Sequence, residues 1–171
     1  MCGYVIVSTK EKTSISTLEK MQKAIQHRGP DDDGMIVLNE KNEFISNKDS
    51  ELPNDFNIGF AFQRLSIQDL SFNASQPMIC EDEEFLIVFN GEVYNFLELR
   101  NKLISKGTIF KSKSDTEVVL NLFKLYGPSM LQMLNGMFSF VIFNKSKNEF
   151  FIARDRLRIK PLYSFHDKHN F

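Results

Sequence analysis

A cysteine directly behind the initiator, in Met1-Cys2-Gly3, is the first residue of this chain that could do chemistry. Removal of Met1, which a small second residue generally permits, leaves a thiol and a free α-amine on one residue. The thiolate is the nucleophilic form, and an ordinary cysteine titrates near ~8.5. An α-amine titrates at about 7.7 to 8.0, so near neutral pH part of it can take the thiol's proton. Nucleophile and base then arrive together, directly or through one water, with no histidine required. A small residue at the head of a strand looks the same, so Cys2 alone does not decide.

Other residues could complete such a site. Arg64 stands at the end of an apolar run, a rigid position from which a guanidinium can clamp a carboxylate; a surface ion pair is the plainer reading. Asn90-Gly91 ends another apolar run. The pair is a strong hairpin signal, yet it also offers a side-chain N–H and a bare backbone N–H that could converge on an oxyanion. At Gly91 the missing Cβ would let a substrate approach closely. Asp115 opens a helix, where a carboxylate suits the helix dipole or could face a ligand ammonium. The acids Asp31-Asp32-Asp33 read as a solvated turn rather than a metal site, with Arg28 free to pin the loop to one of them. Cys80 reads as a buried small hydrophobe.

These residues need elements to hold them. Gly3–Ser8 is a β-branched, aromatic strand expected to be buried. Ser14 or Ser16 caps a helix with Ile15, Leu18, Met21 and Ile25 on one face, which must stop before the Gly and Pro of His27–Gly34. Met35–Leu38 and Glu43–Ser46 form a hairpin, and Asn57–Phe62 and Glu84–Phe89 are apolar strands, the second continuing through Glu92-Val93-Tyr94. Asn95 caps a helix carrying Phe96, Leu99 and Leu103 that Gly107 ends. Ser114 and Glu117 make a capping box for a helix turning Val118, Leu122 and Leu125 to the core, ended by Gly127-Pro128. Met137–Phe143 and Glu149–Ala153 pair as a hairpin, and Lys160–Phe165 is a last short strand. The pattern predicts an α+β domain with mainly antiparallel strands and about three helices.

Composition sets the limits. The 171 residues are enough for one domain with a real core. Net charge is −1 with acids and bases interspersed, which argues against a nucleic-acid or membrane-surface partner. Two distant cysteines make no disulfide framework, and no apolar run approaches ~18 residues, so a soluble, cytoplasmic protein is expected. Seventeen Phe, many of them in strand-like runs, imply stacked layers around a thick core.

Taken together, Met1-Cys2-Gly3, His27-Arg28-Gly29-Pro30-Asp31, Arg64-Leu65-Ser66-Ile67, Phe89-Asn90-Gly91-Glu92-Val93-Tyr94-Asn95, Ser114-Asp115-Thr116-Glu117, Leu134-Asn135-Gly136-Met137-Phe138 and Ala153-Arg154-Asp155 form an ordered set. The set resembles the glutaminase domain of class II glutamine amidotransferases, specifically the asparagine synthetase (glutamine-hydrolysing) type. The likeness spans essentially the whole chain. It implies an N-terminal-nucleophile hydrolase fold, a four-layer αββα sandwich of two antiparallel sheets. It also implies a reaction, glutamine to glutamate and ammonia through a γ-glutamyl thioester on Cys2.

Carried over residue by residue, the resemblance makes Cys2 the nucleophile with its α-amine as base, and Asn90 and Gly91 the oxyanion pair. Arg64 would hold the glutamine α-carboxylate and Asp115 its α-ammonium. The main chain around Leu65, Ser66, Ile67 and Glu92 would line the pocket. No metal or cofactor is implied for this part; ATP and Mg²⁺ belong to a synthetase domain or subunit that would receive the ammonia, and no Ser-Gly-Gly-Leu-Asp-Ser type pyrophosphate loop occurs in residues 1–171. The chain also stops at Phe171, short of where the family's glutaminase domain finishes. Two positions depart from the family pattern, Phe62 where a His is usual and Arg158 where a Gly is usual. Glutaminase chemistry feeding asparagine synthesis, the same chemistry feeding another acceptor such as a sugar carboxylate, and a glutamine-binding fragment without turnover all remain open at this stage.

Overall fold

The structure, a computed structural model, describes residues 2–166; Met1 and Phe171, on which the expectations about processing and chain end fall, lie outside that range. The described residues form two compact units, one made of the residues up to Leu65 with those from Leu162 onward, the other of Ser66–Pro161.

The first unit is one antiparallel sheet and a helix. Its strands β1 (Gly3–Ser14), β2 (Asp32–Leu38), β3 (Phe44–Ser46) and β4 (Asp55–Arg64) lie in the order β1-β4-β2-β3. β1 is longer than its apolar run and mostly half-buried, because it is an edge strand; its pairing with β4 shifts between Ser8 and Thr13. Helix α1 (Ile15–Ala24) starts where the Ser14 hydroxyl accepts the Ser16 N–H at 3.3 Å. Leu18 packs with Val37, Phe56 and Ala61, as the helical spacing predicts. Met21 is exposed, and Gln22 takes the inner position instead. A polar side chain is tolerated there because its Nε2 donates to the carbonyls of Gly34 and Phe62, each at 3.2 Å.

The acidic run is not a free turn. Asp32 and Asp33 open β2 opposite Arg64 and Gln63, and Lys48 pairs with Asp32 at 2.7 Å. Pairing with β4 supplies more backbone hydrogen bonds than a local turn could, so tertiary structure wins.

The second unit has a sheet in the order β5-β6-β7-β8, formed by β5 (Met78–Ile79), β6 (Phe85–Val93), β7 (Gly136–Asn144) and β8 (Glu149–Arg154). Helices α2 (Phe96–Ile104) and α3 (Asp115–Tyr126) supply Leu99, Leu103, Val118, Val119 and Leu122 to a core with Ile87, Phe89, Phe138 and Phe140. The abundance of Phe shows here: Phe85, Phe123, Phe151 and Phe140 form a chain of ring contacts with centroids 4.8–6.2 Å apart.

Several local expectations are corrected in this unit. Asn95 precedes α2 but does not cap it; its amide ties the Met133 carbonyl and the Asn135 N–H, at 2.9 and 3.0 Å. The Ser114 hydroxyl does accept the Glu117 N–H, but the Glu117 carboxylate reaches back to the Lys111 and Ser112 N–H groups instead of Ser114. Leu125 is exposed, and Tyr126 packs on the core in its place. Lys160–Phe165 is irregular rather than a strand. Pro161 lacks a ladder donor, and the main chain of Lys160 is taken up by side chains instead: Asp155 accepts its N–H, and Arg154 donates to its carbonyl and to that of Arg158.

Candidate active site

In the first unit the structure brings Cys2 against the end of β4. The Leu65 N–H points at Cys2 Sγ from 3.4 Å, and the thiol lies 3.7 Å from the Leu65 carbonyl. Gly3 pairs with Gln63, which fixes this register. Arg64 is buried, on the same face of β4 as Phe62, two residues earlier. Phe62 is wholly buried, so the departure from a usual His places an aromatic ring in the core beside Arg64's strand position.

The His27–Asp31 motif serves this corner by packing. A Cβ on Gly29 would lie 2.4 Å from the Arg64 carbonyl carbon, and the Asp31 N–H donates to the Arg64 carbonyl at 3.0 Å. Only glycine lets the loop press so closely on the backbone of the residue expected to hold a carboxylate.

In the second unit, β6 runs straight through Asn90 and Gly91, pairing them with Ser139 and Phe138, so the hairpin reading fails. The need for glycine at position 91 is also not the expected one. A Cβ there would lie 2.4 Å from the Met137 carbonyl oxygen, inside the neighbouring strand.

The pairing tells where the Gly91 N–H goes. Phe138, its partner, uses its own N–H and C=O on Asp155, at 3.3 and 2.8 Å, toward β8. Gly91–Phe138 is therefore a pair without mutual hydrogen bonds, and the Gly91 N–H points away from β7 to the other edge of β6. Along that edge the Phe89 N–H is taken by Gln76 Oε1 at 2.7 Å, and the Val93 N–H by Asp115 Oδ2 at 3.0 Å. Between them, no partner among the described residues takes the Gly91 N–H. Asn90, immediately before it, is buried with 5 % exposure.

Asp115 sits in the first turn of α3, 6 % exposed. Burial pushes its carboxyl up to about 6, with the nearby Glu92 charge adding to the rise; hydrogen bonds from the Val93 and Thr116 N–H groups only partly offset it. Such a carboxylate is short of a cation and suited to receive one. Glu92 is half-buried and accepts from Gln68 Nε2 at 3.4 Å. Ile67 exposes its side chain, and Ser66 is partly buried.

The structure thus groups Cys2, Arg64 and Leu65 in one unit, and Asn90, Gly91, Glu92 and Asp115 with Ser66 and Ile67 in the other. Sequence reasoning missed Gln76. Its amide reads both the N–H and the carbonyl of Phe89, and its Nε2 also donates to the Thr116 hydroxyl at 3.3 Å. It also missed Ser139, a lone polar residue inside the apolar run Met137–Phe143; that interruption was the available signal. Among the described residues no group of three or more His, Cys, Asp or Glu is placed to hold a metal ion, and no helix is long and apolar enough to cross a membrane.

Comparison with known proteins decides the family, since residues 1–171 match the glutamine amidotransferase domain. The chain belongs to the glutamine amidotransferase domain family. A 168-residue stretch covering 95 % of the chain is 40 % identical to asparagine synthetase [glutamine-hydrolyzing] 1 of Bacillus subtilis, and spans 24 % of it. The putative asparagine synthetase [glutamine-hydrolyzing] 2 of Methanocaldococcus jannaschii is 37 % identical over 186 residues, with 100 % of this chain and 33 % of that protein covered. The amidotransferase domain therefore spans about a quarter to a third of the relatives it matches.

Among solved structures, the glutamine phosphoribosylpyrophosphate amidotransferase of B. subtilis superposes with a TM-score of 0.75 at 21 % identity, covering 94 % of this chain and 38 % of that one. The α+β fold with two antiparallel sheets is thus shared with that amidotransferase.

Proposed function

We propose that this amidotransferase domain hydrolyses glutamine to glutamate and ammonia through a γ-glutamyl thioester on Cys2. With Met1 removed, the Cys2 α-amine takes the thiol proton and the thiolate attacks the side-chain carbonyl carbon. The resulting oxyanion is met by the Asn90 side-chain N–H and the Gly91 backbone N–H. Collapse breaks the C–N bond, the protonated amine returns its proton to the leaving nitrogen, and ammonia departs. Water then attacks the thioester, and glutamate leaves with the thiol restored. Arg64 receives the α-carboxylate and Asp115 the α-ammonium, so that a free amino acid is selected over a peptide or a simple amide.

The edge of β6 is the observation that carries this reading. It leaves the Gly91 N–H open between two neighbours that are both satisfied, beside a buried Asn. Losing one donor of such a pair typically costs about 2.7 to 4 kcal/mol of barrier.

None of these steps uses a cofactor or metal. The ammonia would pass to an ATP-dependent synthetase domain or subunit of the asparagine synthetase kind, where ATP and Mg²⁺ would act, in the cytoplasm. Similarity to glutamine-hydrolysing asparagine synthetases at 36–40 % identity favours that acceptor.

The test is glutamate release from glutamine by protein whose mass confirms the loss of Met1, with Cys2→Ala as control. Cys2-dependent release is expected. A processed, folded protein that binds glutamine without turnover overturns the enzymatic reading and leaves a glutamine-binding fragment.

A further inference from the structure

Ser139 lies on β7 directly opposite Asn90 on β6. Its hydroxyl is wholly buried and has no hydrogen-bond partner. Paired residues of an antiparallel ladder point to the same face, with Cβ atoms about 5 Å apart. On that face Leu86 and Val88 precede Asn90, and Val141 and Phe143 follow Ser139, all buried, while Glu92, half-buried, stands on the other side of Asn90 opposite Met137.

A buried hydroxyl with no partner is uncommon and destabilising, and alanine would fill nearly the same space without that cost. The other half of the pair has a matching need. An asparagine serves an oxyanion only if its amide presents Nδ2 and not Oδ1, and the two orientations are close in shape. Among the described residues no hydrogen bond holds the Asn90 amide in either sense.

Resting on the proposed hydrolysis, we propose that Ser139 is a positioning residue for the oxyanion donor. When the tetrahedral oxyanion forms, the Ser139 hydroxyl donates to Asn90 Oδ1, which turns Nδ2 toward the negative charge. Ser139 is aimed by χ1 and by rotation of its O–H about the Cβ–Oγ bond. It touches no reacting atom and acts through Asn90 alone.

A double-mutant cycle tests this in the processed chain: wild type, Ser139→Ala, Asn90→Ala and both together, each with kcat and KM for glutamine and a thermal midpoint. Ser139→Ala is expected to lower kcat about three- to tenfold. KM should change little and the thermal midpoint should hold or rise. In the Asn90→Ala background the serine change should have no further effect on kcat. The inference is overturned if Ser139→Ala leaves kcat intact, or lowers it by the same factor in both backgrounds, or acts only by lowering the thermal midpoint. Absence of turnover in processed wild type instead overturns the hydrolytic reading itself, so the two failures are told apart by the first measurement.

Discussion

The carboxylate of Asp115 accepts the Val93 N–H at 3.0 Å, so the first residue of α3 occupies the edge of β6 two residues beyond Gly91. One residue thereby fixes a helix start to a strand edge and presents a buried negative charge next to the open N–H. The cost is electrostatic, since the carboxylate is desolvated and has Glu92 for a neighbour.

A pH dependence follows from that cost. Asp115 titrates near 6 in the folded protein, against an ordinary value of 3.8. Between those values the native state binds more protons than the unfolded one, so stability falls as pH rises from about 4 to about 6 and levels off above. The full difference is on the order of 2–3 kcal/mol. Urea unfolding of Asp115→Asn should lack this decline. Substrate binding should run the opposite way, with the glutamine KM of wild type falling as pH rises through about 6 because only the anion pairs with an ammonium. Asp115→Asn should raise KM about 10- to 100-fold and flatten that step.

Gln76 takes the place that a strand partner would fill. Its Oε1 and Nε2 satisfy the Phe89 N–H and carbonyl at 2.7 and 3.2 Å, next to Asn90, two residues before β5 begins at Met78. Gln76→Ala would leave both backbone groups buried without partners, and a loss of about 2–4 kcal/mol is expected by chemical denaturation. Gln76→Glu keeps the acceptor and loses the donor to the Phe89 carbonyl, so it should also destabilise. Equal stability of all three proteins would show that the β6 edge finds other partners.

The ordered motifs made the family and most elements legible, because strands rich in Val, Ile and Phe and helices with capped starts carry local signals. Asn90-Gly91 shows where local signals stop. The pair favours a hairpin by its own turn chemistry, but nine residue pairs with β7 keep it extended, and only that pairing aims the Gly91 N–H outward. Gln22 and Gln76 were invisible for a related reason: nothing in a glutamine's sequence neighbourhood says that unpaired strand carbonyls await it. Asp32 and Asp33 failed as a turn because β4, some 30 residues on, offered them a ladder.

Cys80 is more than the buried small hydrophobe that its sequence suggests, because it is hydrogen-bonded. Its thiol donates to Asp82 Oδ1 at 2.9 Å and accepts the Phe85 N–H at 3.0 Å, making it part of the turn between β5 and β6, and Lys124 pairs with the same Asp82. Burial, with the hydrogen bond to Asp82 adding to it, pushes the thiol up to about 11. Against an ordinary value near ~8.5, alkylation of Cys80 at pH 7.5 should be slower by about two orders of magnitude in the folded than in the urea-unfolded chain. Peptide mass mapping after a timed iodoacetamide pulse reads this directly. Rapid labelling of Cys80 in native protein would show that the turn opens on that timescale.

Arg158, where the family resemblance leads Gly to be expected, adopts φ +59, within the left-handed region, and its N–H donates to the Asp155 carbonyl at 3.0 Å. The turn geometry that favours glycine is therefore kept, and a Cβ-bearing residue bears the strain. Its side chain is exposed, so little packing compensates. The Arg158 carbonyl accepts from Arg154 Nη2 at 2.8 Å through main chain only, a bond that glycine would preserve. Relief of left-handed strain, about 1–2 kcal/mol, outweighs the extra chain entropy that glycine brings to the unfolded state, about 0.5–1 kcal/mol. Arg158→Gly should thus stabilise the protein by about 0.5–1 kcal/mol, measured by urea unfolding, while Arg158→Ala should gain nothing because it keeps the Cβ. A destabilised Arg158→Gly would mean that the arginine side chain itself holds the loop, and that this departure from the family pattern is compensated by contacts of its own.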